Sequence, residues 1–147
     1  MLVRDAMSKD TVSAEPSQTI REAATLMMQR RVGAVVVTDP ALPGPGILTE
    51  RDIMRAVAEG ADPETTTVEA CMTFEARTAN AGWGLDEAAA EMTDGHFRHL
   101  LVVDDEGRMV GIVSMRDIVH AHVGHHRERA GGGGAASPAM SGVDGRP

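Results

Sequence analysis

The chain has 147 residues and a formal net charge of −8, with 42% hydrophobic residues but only 2% aromatic ones. That content suits the core of one domain or two very small ones, and the acidic balance argues against a nucleic-acid phosphate backbone as the main partner. The lone Cys71 excludes an intrachain disulfide framework, Met1-Leu-Val-Arg-Asp5 has no signal-peptide character, and no apolar run approaches the roughly 20 residues of a membrane span, so a cytoplasmic protein is expected.

Taken in order, Thr11-Val12 ahead of Glu15-Pro16 reads as a short extended piece. Thr19-x-x-Glu22 is a capping box, and Ile20, Ala23, Ala24 and Met27 recur at helical spacing, which predicts an amphipathic helix. Ala34-Val-Val-Val-Thr38 is a continuous apolar run, fitting a strand covered on both faces. A stiff loop holding Pro40, Pro43 and Pro45 leads to Gly46-Ile-Leu-Thr49, a strand running directly into Glu50-Arg-Asp52 and a second helix. Gly60 and Pro63 mark that helix's end.

The same order then returns. Residues 3–56 fall on residues 68–121 without a gap, at a constant offset of 65. Val3 falls on Val68, Met7-Ser8 on Met72-Thr73, Met27 on Met92, Asp39 on Asp104, and Arg51-Asp-Ile53 on Arg116-Asp-Ile118. The second helix pattern is Leu85, Ala88, Ala89 and Met92 with Gly84 at the cap, followed by the strand His99-Leu-Leu-Val-Val103 and the polar turn Asp104–Arg108. The expected fold is α/β (α+β), two tandem β-α-β-β-α units at 3–59 and 68–123 joined by a linker at 60–67. Residues 124–147, rich in Gly, Ala and Ser, are expected to form a disordered tail.

Two corners carry the chemistry. Thr49-x-x-Asp52 and Ser114-x-x-Asp117 each end a strand and open a helix, where unpartnered backbone N–H groups favour an anion. The same spacing also forms a capping box that satisfies the helix with no ligand at all, although such boxes prefer Glu or Gln at the last position. Arg98 and His99 stand at the start of the second copy's strand where the first copy has Gly33 and Ala34, so the two corners are chemically unequal. Arg30 and Arg31 lie just upstream of that first strand, and Arg51 and Arg116 sit inside the two corners.

His120, His122, His125 and His126 cluster near the end of the repeat. No metal site is assigned; His122 and His126, spaced i, i+4, are the candidate pair, with Gly124 between them and no third ligand evident. Cys71 reads as a small buried residue rather than a reactive thiol, and Trp83 as a packing residue. No nucleophile elbow, P-loop or dinucleotide fingerprint is present, so no catalysis is expected.

Arg98-His-Leu-Leu-Val-Val-Asp104 with Gly111-Ile-Val-Ser-Met-Arg-Asp-Ile118, and Val32-Gly-Ala-Val-Val-Val-Thr-Asp39 with Gly46-Ile-Leu-Thr-Glu-Arg-Asp-Ile53, resemble a CBS-domain pair, or Bateman module, over residues 3–123. Val36 and Leu101 stand where that family often has Pro. The resemblance implies units packed with pseudo-two-fold symmetry, a stand-alone pair that forms a homodimer, and an adenosine-containing ligand (AMP, ADP, ATP or a relative) in the clefts between units. It further implies that Thr49 and Ser114 meet phosphate, that Asp52 and Asp117 accept from the ribose hydroxyls, and that Arg98 and His99 face the phosphates. The alternative is a ligand-free structural homodimer that recruits a protein partner.

Overall fold

The computed structural model describes residues 1–131, with side-chain surroundings through Arg127. A one-turn helix α1 (Val3–Ala6) precedes β1 (Ser13–Ala14), α2 (Ile20–Arg30), β2 (Ala34–Val37), β3 (Gly46–Thr49) and α3 (Glu50–Ala58). The second copy repeats this as α4 (Val68–Cys71), β4 (Thr78–Asn80), α5 (Leu85–Gly95), β5 (His99–Val103), β6 (Met109–Ser114) and α6 (Met115–Gly131). Each copy therefore adds a short leader helix to the expected β-α-β-β-α order. The first strand begins just past the expected Thr11-Val12; the Val12 carbonyl accepts from the Val36 N–H at 2.8 Å and starts the pairing.

Each copy builds a three-stranded sheet, ordered β1-β2-β3 or β4-β5-β6, with the first pair parallel and the second antiparallel. The offset of 65 holds in the pairing itself: Ala34 opposes Thr49 as His99 opposes Ser114, and Ser13 opposes Val36 as Thr78 opposes Leu101. Strand alternation explains why the runs are apolar throughout. Val35 and Val37 pack under α2, Leu100 and Val102 pack under α5, and Ala34, Val36, Ile47 and Leu101 meet in a third cluster where the sheets touch.

The leaders are exchanged between the copies. Val3 is fully buried in the second copy's core, and Val68 in the first copy's. Ser8 bridges to Ile112 and Thr73 bridges to Ile47, while Leu2 bridges to Gly84 and Thr67 to Thr19. All four bridges obey the repeat offset, so the pseudo-two-fold axis relates them in pairs. Residues 60–67, which join the copies, are tied to α2: the N–H groups of Ile20 and Arg21 donate to the carbonyls of Thr66 and Pro63.

Helix α6 runs on to Gly131, which corrects the expected tail boundary at 124. Gly124 lies inside the helix; one interior Gly costs about 1 kcal/mol, and the good helix formers Arg127-Glu-Arg-Ala130 follow it. The rest of the expected tail, 132–147, lies outside the described residues. No described helix is long and apolar enough to cross a membrane.

Candidate functional site

Both corners are formed as reciprocal capping boxes. The Asp52 N–H donates to Thr49 Oγ1 at 3.2 Å and the Thr49 N–H donates to Asp52 Oδ2 at 2.9 Å. Ser114 and Asp117 repeat this at 3.0 and 2.9 Å. The first helical N–H is also engaged, Glu50 donating to the Gly33 carbonyl at 2.9 Å and Met115 to the Arg98 carbonyl at 2.8 Å. The anion-ready start expected from sequence is therefore largely self-satisfied: of the first three helical N–H groups at Thr49, only that of Arg51 has no partner among the described residues. The box uses one carboxylate oxygen. An ionised carboxylate offers about four lone-pair positions, so Asp52 retains capacity to accept hydroxyl protons.

A cleft of about 260 Å³ opens onto the Thr49 corner. Its first wall is Ile47, Thr49, Glu50, Arg51, Asp52 and Arg55; its second is Thr73, Arg77, His96, Phe97, Arg98 and His99. Arg98 and His99 therefore line the cleft at the first copy's corner, although His99 also stands opposite Ser114 on the neighbouring strand and feels the charge of Asp117. Sequence had left that choice open because it depends on how the copies pack.

Local physics places each of these groups. Arg55 reaches Asp52 Oδ1 at 3.4 Å, its side chain 59% exposed against 12% for Asp52, so it adds positive charge at the rim rather than a rigid pair. Arg77 pairs with Glu91 at 2.7 Å, and its guanidinium lies 5.5 Å from the Phe97 ring centroid. His96 ends α5 in the left-handed region, at φ 59°, as its repeat mate Arg31 ends α2 at φ 56°. His99 opens β5 on the same face as Leu101, at the seam between sheets. Burial pushes its pKa below the usual value, against the opposing pull of Glu50, Asp117 and Asp52.

The matching corner is poorer. By the repeat offset, the groups corresponding to Thr49, Arg51 and Asp52 are Ser114, Arg116 and Asp117, and those corresponding to His96, Arg98 and His99 are Arg31, Gly33 and Ala34, so the Arg98 position is a glycine. A Cβ built on Gly33 would lie 3.3 Å from the Glu50 carboxylate, so a negative group stands near the position whose mate holds a guanidinium. Exposed Arg30 is not among the cleft residues. Another cavity, about 320 Å³, lies in the Pro-rich loop, but Asp39 is the one charged residue lining it.

Sequence reasoning missed Glu50, Arg55, Thr73, Arg77, His96 and Phe97. The signals for them were that Phe97 and His96 adjoin Arg98 and that Glu50 sits inside the Thr49–Asp52 corner. His122 and His126 are exposed on the uninterrupted α6, and no group of three metal-binding side chains occurs among the described residues. Trp83 packs against the second core while its carbonyl accepts from the Val3 N–H. Cys71 is half-buried rather than buried; desolvation still raises its pKa, helped by Asp52 and Glu59, as suits an unreactive thiol.

Two copies of a strand–cap–helix corner, exchanged leaders and a cleft built from both copies define a paired tandem-repeat module. The CBS domain model matches residues 3–59 and 63–124, and the chain belongs to that family. It is 38% identical over 117 residues to the CBS domain-containing protein YhcV of Bacillus subtilis, covering 79% of this chain and 81% of that one. Among solved structures, the CBS domain protein PAE2072 of Pyrobaculum aerophilum, complexed with AMP, matches with TM-score 0.71 and 32% identity over 80% of this chain and 89% of that one. The CBS domain pair of protein MJ0100, in complex with 5′-methylthioadenosine and S-adenosyl-L-methionine, matches with TM-score 0.74 and 31% identity over 85% and 98%.

Proposed function

We propose that this chain is a non-catalytic regulatory module that senses an adenosine-containing phosphorylated ligand (AMP, ADP, ATP or a relative) in the cleft at Thr49. The observation that carries this reading is the convergence of Arg77, His96, Arg98 and His99 from one copy on the Thr49–Asp52 corner of the other. Arg98 and the rim arginines supply positive charge for phosphate, and Asp52 accepts from ribose hydroxyls. The adenosyl ligands of the two solved relatives support the ligand class.

Because the ligand would touch both copies, its differential affinity for two packings of the copies shifts the balance between them. The module works as an intracellular homodimer joined through the outer faces of α3 and α6. One ligand per chain is expected, since the corner at Ser114, Arg116 and Asp117 lacks an Arg98 equivalent.

Titration calorimetry with AMP, ADP and ATP tests this. We expect a stoichiometry of one per chain, an affinity loss of about tenfold or more in Asp52→Ala, and little change in Asp117→Ala. No heat at millimolar nucleotide, or equal losses in both variants, would sink it. The first outcome together with a stable dimer would instead favour the ligand-free protein-recruiting scaffold.

A further inference from the structure

His99 has no chemical equivalent across the pseudo-two-fold axis. Its repeat mate Ala34 is buried at 6% exposure and packs in the seam between sheets, so the fold itself needs only a small apolar side chain there. The imidazole lines the cleft and has no hydrogen-bond partner among the described residues. Charge reaches it from three sides. Glu50 and Asp52 face it from α3, Asp117 from the first turn of α6, and Arg98 from its own strand. Arg51, Arg55 and Arg77 complete the charged lining of the cleft, with the His96 imidazole beside them.

Partial burial favours the neutral ring, and the three carboxylates favour the charged one. Burial outweighs them in the ligand-free protein, so the ring is neutral at pH 7. An anionic group entering the cleft adds negative charge on the same side of that balance as the carboxylates. An opposite charge within roughly 4–6 Å moves a pKa by about 1–3 units, toward the charged ring and against the effect of burial.

We propose that His99 is a proton-coupled specificity residue that takes up a proton when a phosphorylated ligand enters the cleft, linking anion binding to pH. A neutral adenosyl compound gains nothing from that proton, so the residue separates phosphorylated from uncharged ligands and favours the former as pH falls. This inference rests on the nucleotide reading above.

The test follows the assigned ring resonance of His99 by NMR through a pH titration of the full chain, alone and saturated with AMP. Calorimetry of wild type and His99→Gln runs alongside. We expect the His99 pKa to rise with AMP and to stay at its free value with 5′-methylthioadenosine. Lowering the pH from 7.5 to 6 should strengthen AMP binding by roughly three- to tenfold more in wild type than in His99→Gln. AMP binding with an unmoved His99 pKa, or an equal rise with 5′-methylthioadenosine, overturns the inference and leaves the nucleotide reading standing. No binding of any nucleotide overturns both. The NMR arm needs no variant, so poor folding of His99→Gln does not blunt it.

Discussion

A Cβ built on Gly46 falls 2.6 Å from the Met72 methyl and 2.7 Å from the Thr73 carbonyl, and one on Gly111 falls 2.5 Å from the Ser8 carbonyl. The glycine that opens each repeated corner is therefore required by the exchanged leader lying against the strand, a packing demand rather than a ligand one. Gly46→Ala and Gly111→Ala should each destabilise by about 1–3 kcal/mol, since backbone cannot give way cheaply; urea denaturation measures it. His96 illustrates the opposite balance. A non-glycine residue in the left-handed region costs about 1 kcal/mol or more, and α3 avoids this by placing Gly60 at the corresponding position, with φ 96°. Since His96 lines the cleft, His96→Gly should raise the melting temperature while weakening AMP binding. A variant both more stable and unchanged in affinity would remove His96 from the site.

At the level of elements, the helices divide their work by face. Capping boxes fix where α3 and α6 begin, and an N-cap is worth about 1 kcal/mol. Their inner faces close on the cores through Ala56 and Ile118. Their outer faces carry exposed apolar side chains: Met54 and Val57 on α3 are 66% and 49% exposed, and Val119 and Val123 on α6 are 54% and 43% exposed. Met54 and Val119 are repeat mates, so the two patches occupy corresponding places on the two repeats and together offer an apolar face for a self-complementary contact between two chains. We expect sedimentation to give a dimer at micromolar concentration. Met54→Glu and Val119→Glu should each shift it toward monomer by tenfold or more in dissociation constant, because each places an unpaired charge in the contact. A wild-type monomer at that concentration would refute the assignment of these faces.

For the whole molecule, what sequence could reveal was set by distance along the chain. The repeat and the β-α-β-β-α order of each copy were legible because each is encoded within one copy: apolar runs at fixed spacing and an offset of 65 that never slips, which the strand pairing then follows. Thr49, Asp52, Arg51, Arg98 and His99 were also legible by type, and the structure gathers them in one cleft. The leader exchange was not legible, because the pairing of Ser8 with Ile112 leaves no local pattern, and the glycine it demands reads equally well as part of an anion loop. For the same reason sequence could not assign Arg98 to a cleft. The exchange has a consequence that can be measured on fragments. The repeat suggests cutting the chain into residues 1–65, but that piece carries the leader of the other copy and lacks Val68 and Met72, both buried in the first core. Residues 9–73 have the same length and contain the whole of that core together with the strand partner Thr73 of Ile47. Burying one valine contributes about 1.5–3 kcal/mol, comparable to the entire stability of so small a unit. By far-UV circular dichroism and urea titration, residues 9–73 should therefore hold more helix and unfold more cooperatively than residues 1–65. Equal behaviour of the two fragments would mean that the leader contributes little to the core it enters.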